Sequence, residues 1–359
     1  MLIVRSPVRV SFGGGGTDLP AYYEKHGGAV LSAAINKYFY TILTKRTDGR
    51  IQVISSDLRL IETWQDIAQM NVNDGELSLP LAAMKELGIE ISLNLFLASE
   101  IPPGTGLGSS ASVCVSILKA LTTYLQAPLS KHALAEKAFH VAREILNMPV
   151  GKQDEYAASY GGLNYITFGE NGGTSVEPVL PSPDVLRELQ GNLLLFFTGA
   201  SHNSWSILKA QEESSSRAGS AACDSLRQIH LLAKEMQSAI SKGNLRMFGS
   251  LLDEAWQAKR KVSDRISTER IDQLYAVARD NGALGGKITG AGGGGFLLLY
   301  CEEEAQSRVR DAFAREGLRE MTFEFDFQGA RVLVNDPFLD DDGRCGPRWN
   351  FTPFAEQNV

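Results

Sequence analysis

Pro102-Pro103-Gly104-Thr105-Gly106-Leu107-Gly108-Ser109-Ser110-Ala111-Ser112 is the stretch from which the rest of the chain can be read. Three glycines alternate with small or apolar residues, two serines follow, and an apolar-periodic run extends from Val113 to Leu125. That order predicts a glycine-rich loop opening into a helix. Glycines let a backbone bend and come close to a ligand. The unpaired N–H groups and the positive dipole end of the following helix then face that ligand, which suits an anion and phosphate above all. Ser109 and Ser110 add hydroxyls that can cap the helix, hold a phosphate or reach a Mg²⁺ ion.

Two familiar phosphate loops fit poorly. A Walker A loop needs Lys and then Ser/Thr after its second glycine, and no Gly-Lys-Ser/Thr occurs in the chain. A dinucleotide fingerprint fits formally as Gly106-x-Gly108-x-x-Ala111. However, no Asp or Glu follows at about twenty residues, where the ribose ligand belongs, and Pro102-Pro103 interrupts the strand-to-loop junction. A plain helix cap without a ligand is the remaining alternative for this loop taken alone.

Working outward, two more glycine loops stand at strand or helix junctions. Leu2 to Phe12 reads as a strand that runs into Gly13-Gly14-Gly15-Gly16-Thr17-Asp18, and four successive glycines exceed what a structural turn needs. Asp18 reads either as a ligand contact or as the N-cap of a helix near Leu19-Pro20. Lys287-Ile288-Thr289-Gly290-Ala291-Gly292-Gly293-Gly294-Gly295-Phe296 is the third loop, followed by a strand over Phe296–Tyr300. Such loops, hung from strand ends, are where ligand contacts concentrate. Convergence of all three on one cleft would explain them together.

Between the loops, strands are expected over Tyr38–Thr44, Ile51–Ser55, Ile91–Leu97, Leu163–Phe168 and Leu193–Phe197. Helices are expected over Leu79–Leu87, Lys131–Leu146, Ser216–Ser241, Asn244–Lys261, Thr268–Asp280 and Glu302–Glu316, with Ser130 as an N-cap. Strands near Thr322–Phe327 and Arg331–Val334 would complete a βαβ-like unit. The three prolines in 176–190 suggest a linker between two halves. Glu144 lies at a helix C-terminus, where a carboxylate is disfavoured unless solvated or bound to a cation. Asp154 follows a turn, Val150-Gly151-Lys152-Gln153, in which Lys152 is either a phosphate contact or a solvated lysine. His202 is the histidine beside a site loop, and nothing near it forms a Ser-His-Asp set.

Composition narrows the class. The 359 residues carry 35 Lys+Arg against 42 Asp+Glu, a net charge of −7, so no basic excess is available to meet a nucleic-acid backbone. Four cysteines are too widely spaced for a metal site or a disulfide framework, which points to a reduced, cytoplasmic setting. No apolar run reaches the length of a membrane span, so neither nucleic acid nor membrane is an expected partner, and a homodimer stays open.

Three ordered motifs together carry a family resemblance: Pro7-Val8-Arg9-Val10-Ser11-Phe12-Gly13-Gly14-Gly15-Gly16-Thr17-Asp18, the 102–112 loop and the 287–296 loop. Over about residues 1–335 the chain resembles the GHMP small-molecule kinases. Gly14–Asp18, Ala33-Ala34-Ile35-Asn36, Gly151–Tyr156 and Tyr160-Gly161-Gly162 make it most similar to the heptose-phosphate kinase branch. Galactokinases carry Gly-Glu-His-Thr-Asp where this chain has Gly14-Gly15-Gly16-Thr17-Asp18, which argues against galactose. The resemblance implies an α+β two-domain GHMP kinase fold. Residues 1–185 would form a ribosomal-protein-S5-domain-2-like domain with the glycine-rich phosphate loop, residues 186–335 a ferredoxin-like α+β domain, and residues 336–359 a peripheral tail.

It also implies an ATP-dependent sugar kinase acting on the anomeric hydroxyl of D-glycero-D-manno-heptose 7-phosphate. The alternatives are an L-fucose or other neutral-sugar 1-kinase and, in a different class, a sugar or nucleotide sensor without turnover. The resemblance assigns ATP to Pro103, Gly104, Thr105, Gly106, Leu107, Gly108, Ser109 and Ser110, and Mg²⁺ to Ser110 and Glu144. It assigns the sugar to Gly14, Gly15, Gly16, Thr17, Asp18, Gly290 and Gly292. Asp154 would take the hydroxyl proton, and Arg9 would stabilise that carboxylate and the moving phosphoryl charge. A phosphorylated acceptor also needs a basic contact for its distal phosphate, with Arg5, Lys25, Lys37 and Lys45 as candidates.

Overall fold

The computed structural model of the chain describes residues 1–72, 75–199, 204–215 and 221–336. The first part runs β1 (Leu2–Gly13), α1 (Pro20–His26), β2 (Gly28–Lys45), β3 (Ile51–Ser55), β4 (Leu60–Trp64), α2 (Ser78–Glu86), β5 (Leu93–Ser99), α3 (Ser109–Tyr124), α4 (Lys131–His140), a π-turn (Val141–Ile145), α5 (Gln153–Tyr160), β6 (Leu163–Phe168), β7 (Thr174–Pro178) and α6 (Pro183–Gly191). The second runs β8 (Leu193–Phe197), α7 (Ser204–Ser215), α8 (Ala221–Ser241), α9 (Leu245–Arg260), α10 (Glu269–Asp280), β9 (Gly285–Ile288), β10 (Phe296–Tyr300), α11 (Glu303–Arg315) and β11 (Arg319–Glu320), and β12 (Arg331–Asn335) ends it.

β2 organises the first sheet. Its 18 residues are rich in β-branched and aromatic side chains, and most are buried. It pairs antiparallel with β1 along most of its length, with β6 through Gly28–Ala33 and with β5 through Phe39–Lys45. The path of the sheet is β12-β1-β2-β5-β3-β4, with β6 and β7 branching from β2. β3 and β5 run parallel. The second sheet has the order β11-β8-β10-β9, all antiparallel. Its element order, β, helices, β, β, α, β, is the ferredoxin-like arrangement.

The two sheets meet in one shared cluster, with separate clusters filling each part away from it. Val8, Val10, Phe12, Ala29 and Leu31 of β1 and β2 belong to the same buried cluster as Leu195, Met236, Phe248, Leu298 and Tyr300 of the second part. Ring contacts run through it: Phe248 stands edge-on to Phe12 at 5.4 Å and to Tyr300 at 5.6 Å between centroids. Caps set several helix starts. Ser130 accepts from the Ala133 N–H at 3.1 Å, Asn244 from Met247 at 3.2 Å and Thr268 from Ile271 at 3.3 Å.

Four expectations need correction. The 176–190 segment is not a bare linker. Thr174–Pro178 is an edge strand, and Pro183 opens α6, where a missing N–H costs nothing. No strand forms over 322–327, where Phe325 makes a single bridge to Ile35; the two-residue β11 takes the outer place beside β8 instead. Residues 331–335 leave the second part and pair with β1, so the C-terminal unit does not run unbroken to 335. The helix expected over 131–146 ends at His140 and continues as the π-turn. His202, Cys345 and the tail beyond 336 lie outside the described residues.

Candidate active site

All three glycine loops line one cleft. Gly15, Gly16 and Asp18 come from the first loop; Gly104, Gly106, Gly108, Ser109 and Ser110 from the second; Gly290 and Ala291 from the third. The second and third loops interlock through glycine. A methyl at Gly106, where φ is +81°, would fall 2.3 Å from the Thr289 carbonyl oxygen, and one at Gly290 would fall 2.6 Å from the Gly106 Cα. Only glycine on both sides permits that approach. α3 then begins at Ser109 directly after Gly108, with no side chain capping its first turn. The N–H groups at the start of this 16-residue helix are therefore left for an anion, and the capping role open to Ser109 and Ser110 is not taken up.

Asp154 lies in the first turn of α5, and Arg9 stands on β1 opposite it. The Arg9 guanidinium donates from Nε to Asp154 Oδ1 and from Nη2 to Oδ2, both at 2.7 Å, a bidentate fork. Its Nη1 donates to the Gly106 carbonyl at 2.7 Å, which ties the fork to the phosphate loop. Gln153 Nε2 donates to Asp154 Oδ1 at 3.2 Å and is itself held by the Ser11 hydroxyl at 2.7 Å. Arg9 is 4% exposed, whereas the Asp154 side chain keeps 29% of its surface open to the cleft. Gly108 makes room for this pair: a methyl there would lie 3.1 Å from the Asp154 carboxyl carbon.

Asp18 is not a helix cap. Leu19 occupies that position, and the Asp18 carboxylate instead accepts from the Gly16 N–H at 2.8 Å and the Gln153 N–H at 3.3 Å. Burial, and then the charge of Asp154, raise its pKa, so it holds a proton more readily than a surface carboxyl. Glu155 also lines the cleft. Burial and Asp154 push its pKa well up, and its Oε2 has no partner among the described residues.

Several assigned residues support the cleft without lining it. Gly14 packs against the Ala29 backbone, and the Thr17 hydroxyl donates to the carbonyls of Gly14 and Ala29 at 2.8 and 2.9 Å. Thr105 donates to the Pro102 carbonyl at 2.9 Å, Leu107 is buried in the shared core, and Pro103 is exposed away from the lining. Gly292 packs on Ile266. Lys152 is neither solvated nor at a phosphate position: its ammonium is buried and donates to Glu136 Oε1 and the Gly172 carbonyl, both at 2.8 Å. Glu144 is exposed on the π-turn and does not line the cleft, so the short turn fails to bring it to Asp154. Among the described residues, no three His, Cys, Asp or Glu side chains cluster as metal ligands.

The basic residues proposed for a distal phosphate also lie elsewhere. Arg5 stacks 3.9 Å over the Tyr38 ring and faces Asp326 at 3.8 Å, and neither Lys25, Lys37 nor Lys45 reaches the cleft. The cation that does is Lys259, from the buried face of α9. Sequence reasoning missed it, together with Gln211, Trp205 and Leu208 of α7. A signal existed: Lys259 sits three residues after Trp256 on a stripe that is otherwise apolar through Leu245, Phe248, Leu252 and Ala255.

Two family models match the chain: the GHMP kinases N terminal domain over residues 78–162 and the GHMP kinases C terminal domain over residues 236–319. A Campylobacter jejuni D-glycero-alpha-D-manno-heptose 7-phosphate kinase is 29% identical over 335 residues, covering 91% of this chain and 97% of its own. The L-fucokinase/L-fucose-1-P guanylyltransferase of Bacteroides fragilis is 25% identical over 345 residues, covering 85% of this chain but 35% of its own. The crystal structure of a D-glycero-D-manno-heptose 1-phosphate kinase from Bacteriodes thetaiotaomicron superposes with a TM-score of 0.79 at 28% identity, covering 94% of this chain and all of that one.

Proposed function

We propose that this chain, an ATP-dependent sugar kinase by its GHMP kinase domain matches and its kinase relatives, phosphorylates the anomeric hydroxyl of D-glycero-D-manno-heptose 7-phosphate to give the 1,7-bisphosphate. The observation that carries this reading is the Arg9–Asp154 fork, open to the cleft between the first glycine loop and the uncapped start of α3. The division of the chain near residue 185 is part of the same proposal: acceptor contacts come from both sides of it.

ATP, bound with its phosphates on Gly104–Ser110, supplies the phosphoryl group. The loop fits that role by its glycines and its unpaired helix N–H groups. Asp154, within reach of an acceptor hydroxyl, takes its proton as the oxygen attacks the γ-phosphorus and the bond to the ADP leaving group breaks. Arg9 keeps the carboxylate aimed and, through Gly106, keeps it in register with the phosphate loop. Asp18, held by two backbone N–H groups, is placed to bond the sugar hydroxyls, and a proton retained there would let it donate as well as accept. Most of the acceleration then comes from alignment and fixed charge. Mg²⁺ is typical of such transfers; the exposed Ser110 hydroxyl on the cleft fits as one of its ligands, whereas Glu144 as placed does not.

The relatives' names support a heptose phosphate but differ in where the phosphate stands. The test is ADP release with D-glycero-D-manno-heptose 7-phosphate, the unphosphorylated heptose and L-fucose as acceptors, with ³¹P NMR of the product. Highest kcat/KM on the 7-phosphate and a new anomeric phosphate signal are expected. Turnover on L-fucose alone would replace this acceptor with a neutral sugar.

A further inference from the structure

Lys259 is an unusual residue for its position. It occupies the buried face of α9, is 5% exposed, and brings its ammonium to the floor of the cleft. The ammonium donates to the Gly15 carbonyl at 2.9 Å and to Gln211 Oε1 at 3.0 Å. A lysine ammonium has three N–H donors, so one is left over. The carboxamide oxygen of Gln211 faces the lysine, which turns its two amide N–H donors the other way. That nitrogen is buried and has no partner among the described residues. It presses on the first glycine loop, 1.9 Å from where a Gly16 methyl would stand. Three unused N–H donors, one of them cationic, thus meet beside the loop on which the acceptor is proposed to lie.

The charges around them are unbalanced. Arg9 and Lys259 are the basic residues among the described lining, against Asp18, Asp154 and Glu155; both carboxylate oxygens of Asp154 are committed to Arg9, and burial pushes Glu155 toward its neutral form. Lys287, buried on β9, adds a further cation close enough to repel, and its ammonium has no hydrogen bond among the described residues. Asp18 is the carboxylate that attracts both lysines, and it tends to hold its proton. Burying an ammonium without a full counter-charge is costly unless an anion completes the site. The start of α3 is the place proposed above for ATP, whereas the Lys259 contacts are with Gly15 and Gln211, beside Gly16.

Resting on the acceptor proposed above, we infer that the Lys259 ammonium and the Gln211 carboxamide bind the distal phosphate of the sugar and set the preference for a phosphorylated acceptor. The reacting end of the sugar lies at Asp154 and the phosphorylated end at Lys259, with Asp18 between them. Lys259 is a specificity residue and takes no part in the proton transfer.

The experiment compares wild type, Lys259→Met, Lys259→Arg and Gln211→Leu on D-glycero-D-manno-heptose 7-phosphate and on the unphosphorylated heptose, with each variant's melting temperature measured first. Lys259→Met should raise KM for the 7-phosphate roughly 10- to 100-fold, the scale of a lost charged hydrogen bond. The loss in kcat/KM should be at least tenfold smaller on the unphosphorylated heptose than on the 7-phosphate, and the KM for ATP should stay within about threefold. Lys259→Arg should recover part of the loss, and Gln211→Leu, which leaves the lysine in place, should lose less. A wild type that prefers the 7-phosphate and a Lys259→Met variant that keeps the same preference would overturn this inference alone. So would equal losses on both sugars in the folded variants, or a loss confined to ATP. A wild type with no preference for the 7-phosphate would instead overturn the acceptor reading, and this inference with it.

Discussion

At Asp154 a single guanidinium binds both carboxylate oxygens and one loop carbonyl, so the residue's direction is fixed before any substrate arrives. Asp154→Asn keeps the shape but loses the proton acceptor and one half of the fork. The kcat should fall by about 10²–10⁴ with a modest change in KM, measured by ADP release on enzyme of unchanged melting temperature. Lys287 makes a different prediction. Burial, with Lys259 and Arg9 nearby, lowers its pKa from 10.5 to about 7. In the fold the charged form is penalised, so the cost is fully present below about pH 7 and disappears as pH rises toward the unfolded value. Lys287→Met should therefore melt higher than wild type at pH 6 to 7, and calorimetry should show the gap closing toward pH 10. Asp154 and Arg9 were named through the family resemblance of their motifs, and the structure brings the two side chains together. Lys259, Gln211 and Glu155 were not named, because their roles arise from packing between segments far apart in the chain.

Elements were most legible where one local rule suffices. β3 and β8 matched their expected bounds because they are short runs between turn residues, and α11 did so within a residue because its periodicity is strong; α2 came as close although its residues 80–84 are all buried. β12 could not be assigned to its sheet from sequence, since Arg331–Asn335 reads as a strand whichever edge it joins. Nor could the two-residue β11, which owes its existence to the open edge of β8. The glycine loops were readable as ligand loops, but their mutual contact was not. Gly106→Ala tests it. The methyl would meet a backbone oxygen at 2.3 Å and strain a residue with φ of +81°, a cost of about 1–3 kcal/mol for the backbone alone. The expected result is a roughly 10-fold or greater loss in kcat/KM for ATP with an unchanged far-ultraviolet circular dichroism spectrum.

Across the whole molecule, the two halves were visible in the sequence as two sets of elements around a proline-rich middle. That they are fused through one apolar cluster was not visible, because no periodicity tells which sheet a buried face will meet. Phe12 and Phe248, more than two hundred residues apart, touch edge to face. A shared cluster of this kind couples the two halves, because unfolding either one exposes apolar surface of the other. Urea titrations followed by circular dichroism and by tryptophan fluorescence should therefore coincide, and calorimetry should show one peak. Two separated transitions would mean that the cluster is weaker than its burial implies.

β12 lies beside β1, and this has a consequence for how the chain is strung. The Met1 amino group donates to the Asp336 carbonyl at 3.0 Å, and the Asp336 N–H returns to Met1 at 2.9 Å. Positions 1 and 336 therefore lie side by side, so a linker carried on from the 337–359 segment back to position 1 would allow new ends to be cut at the exposed bend of 47–50. Such a circularly permuted protein would preserve every strand pairing and phosphorylate sugar as before. The order in which the elements are translated is then a matter of ancestry, and their neighbours in space alone sustain the catalyst.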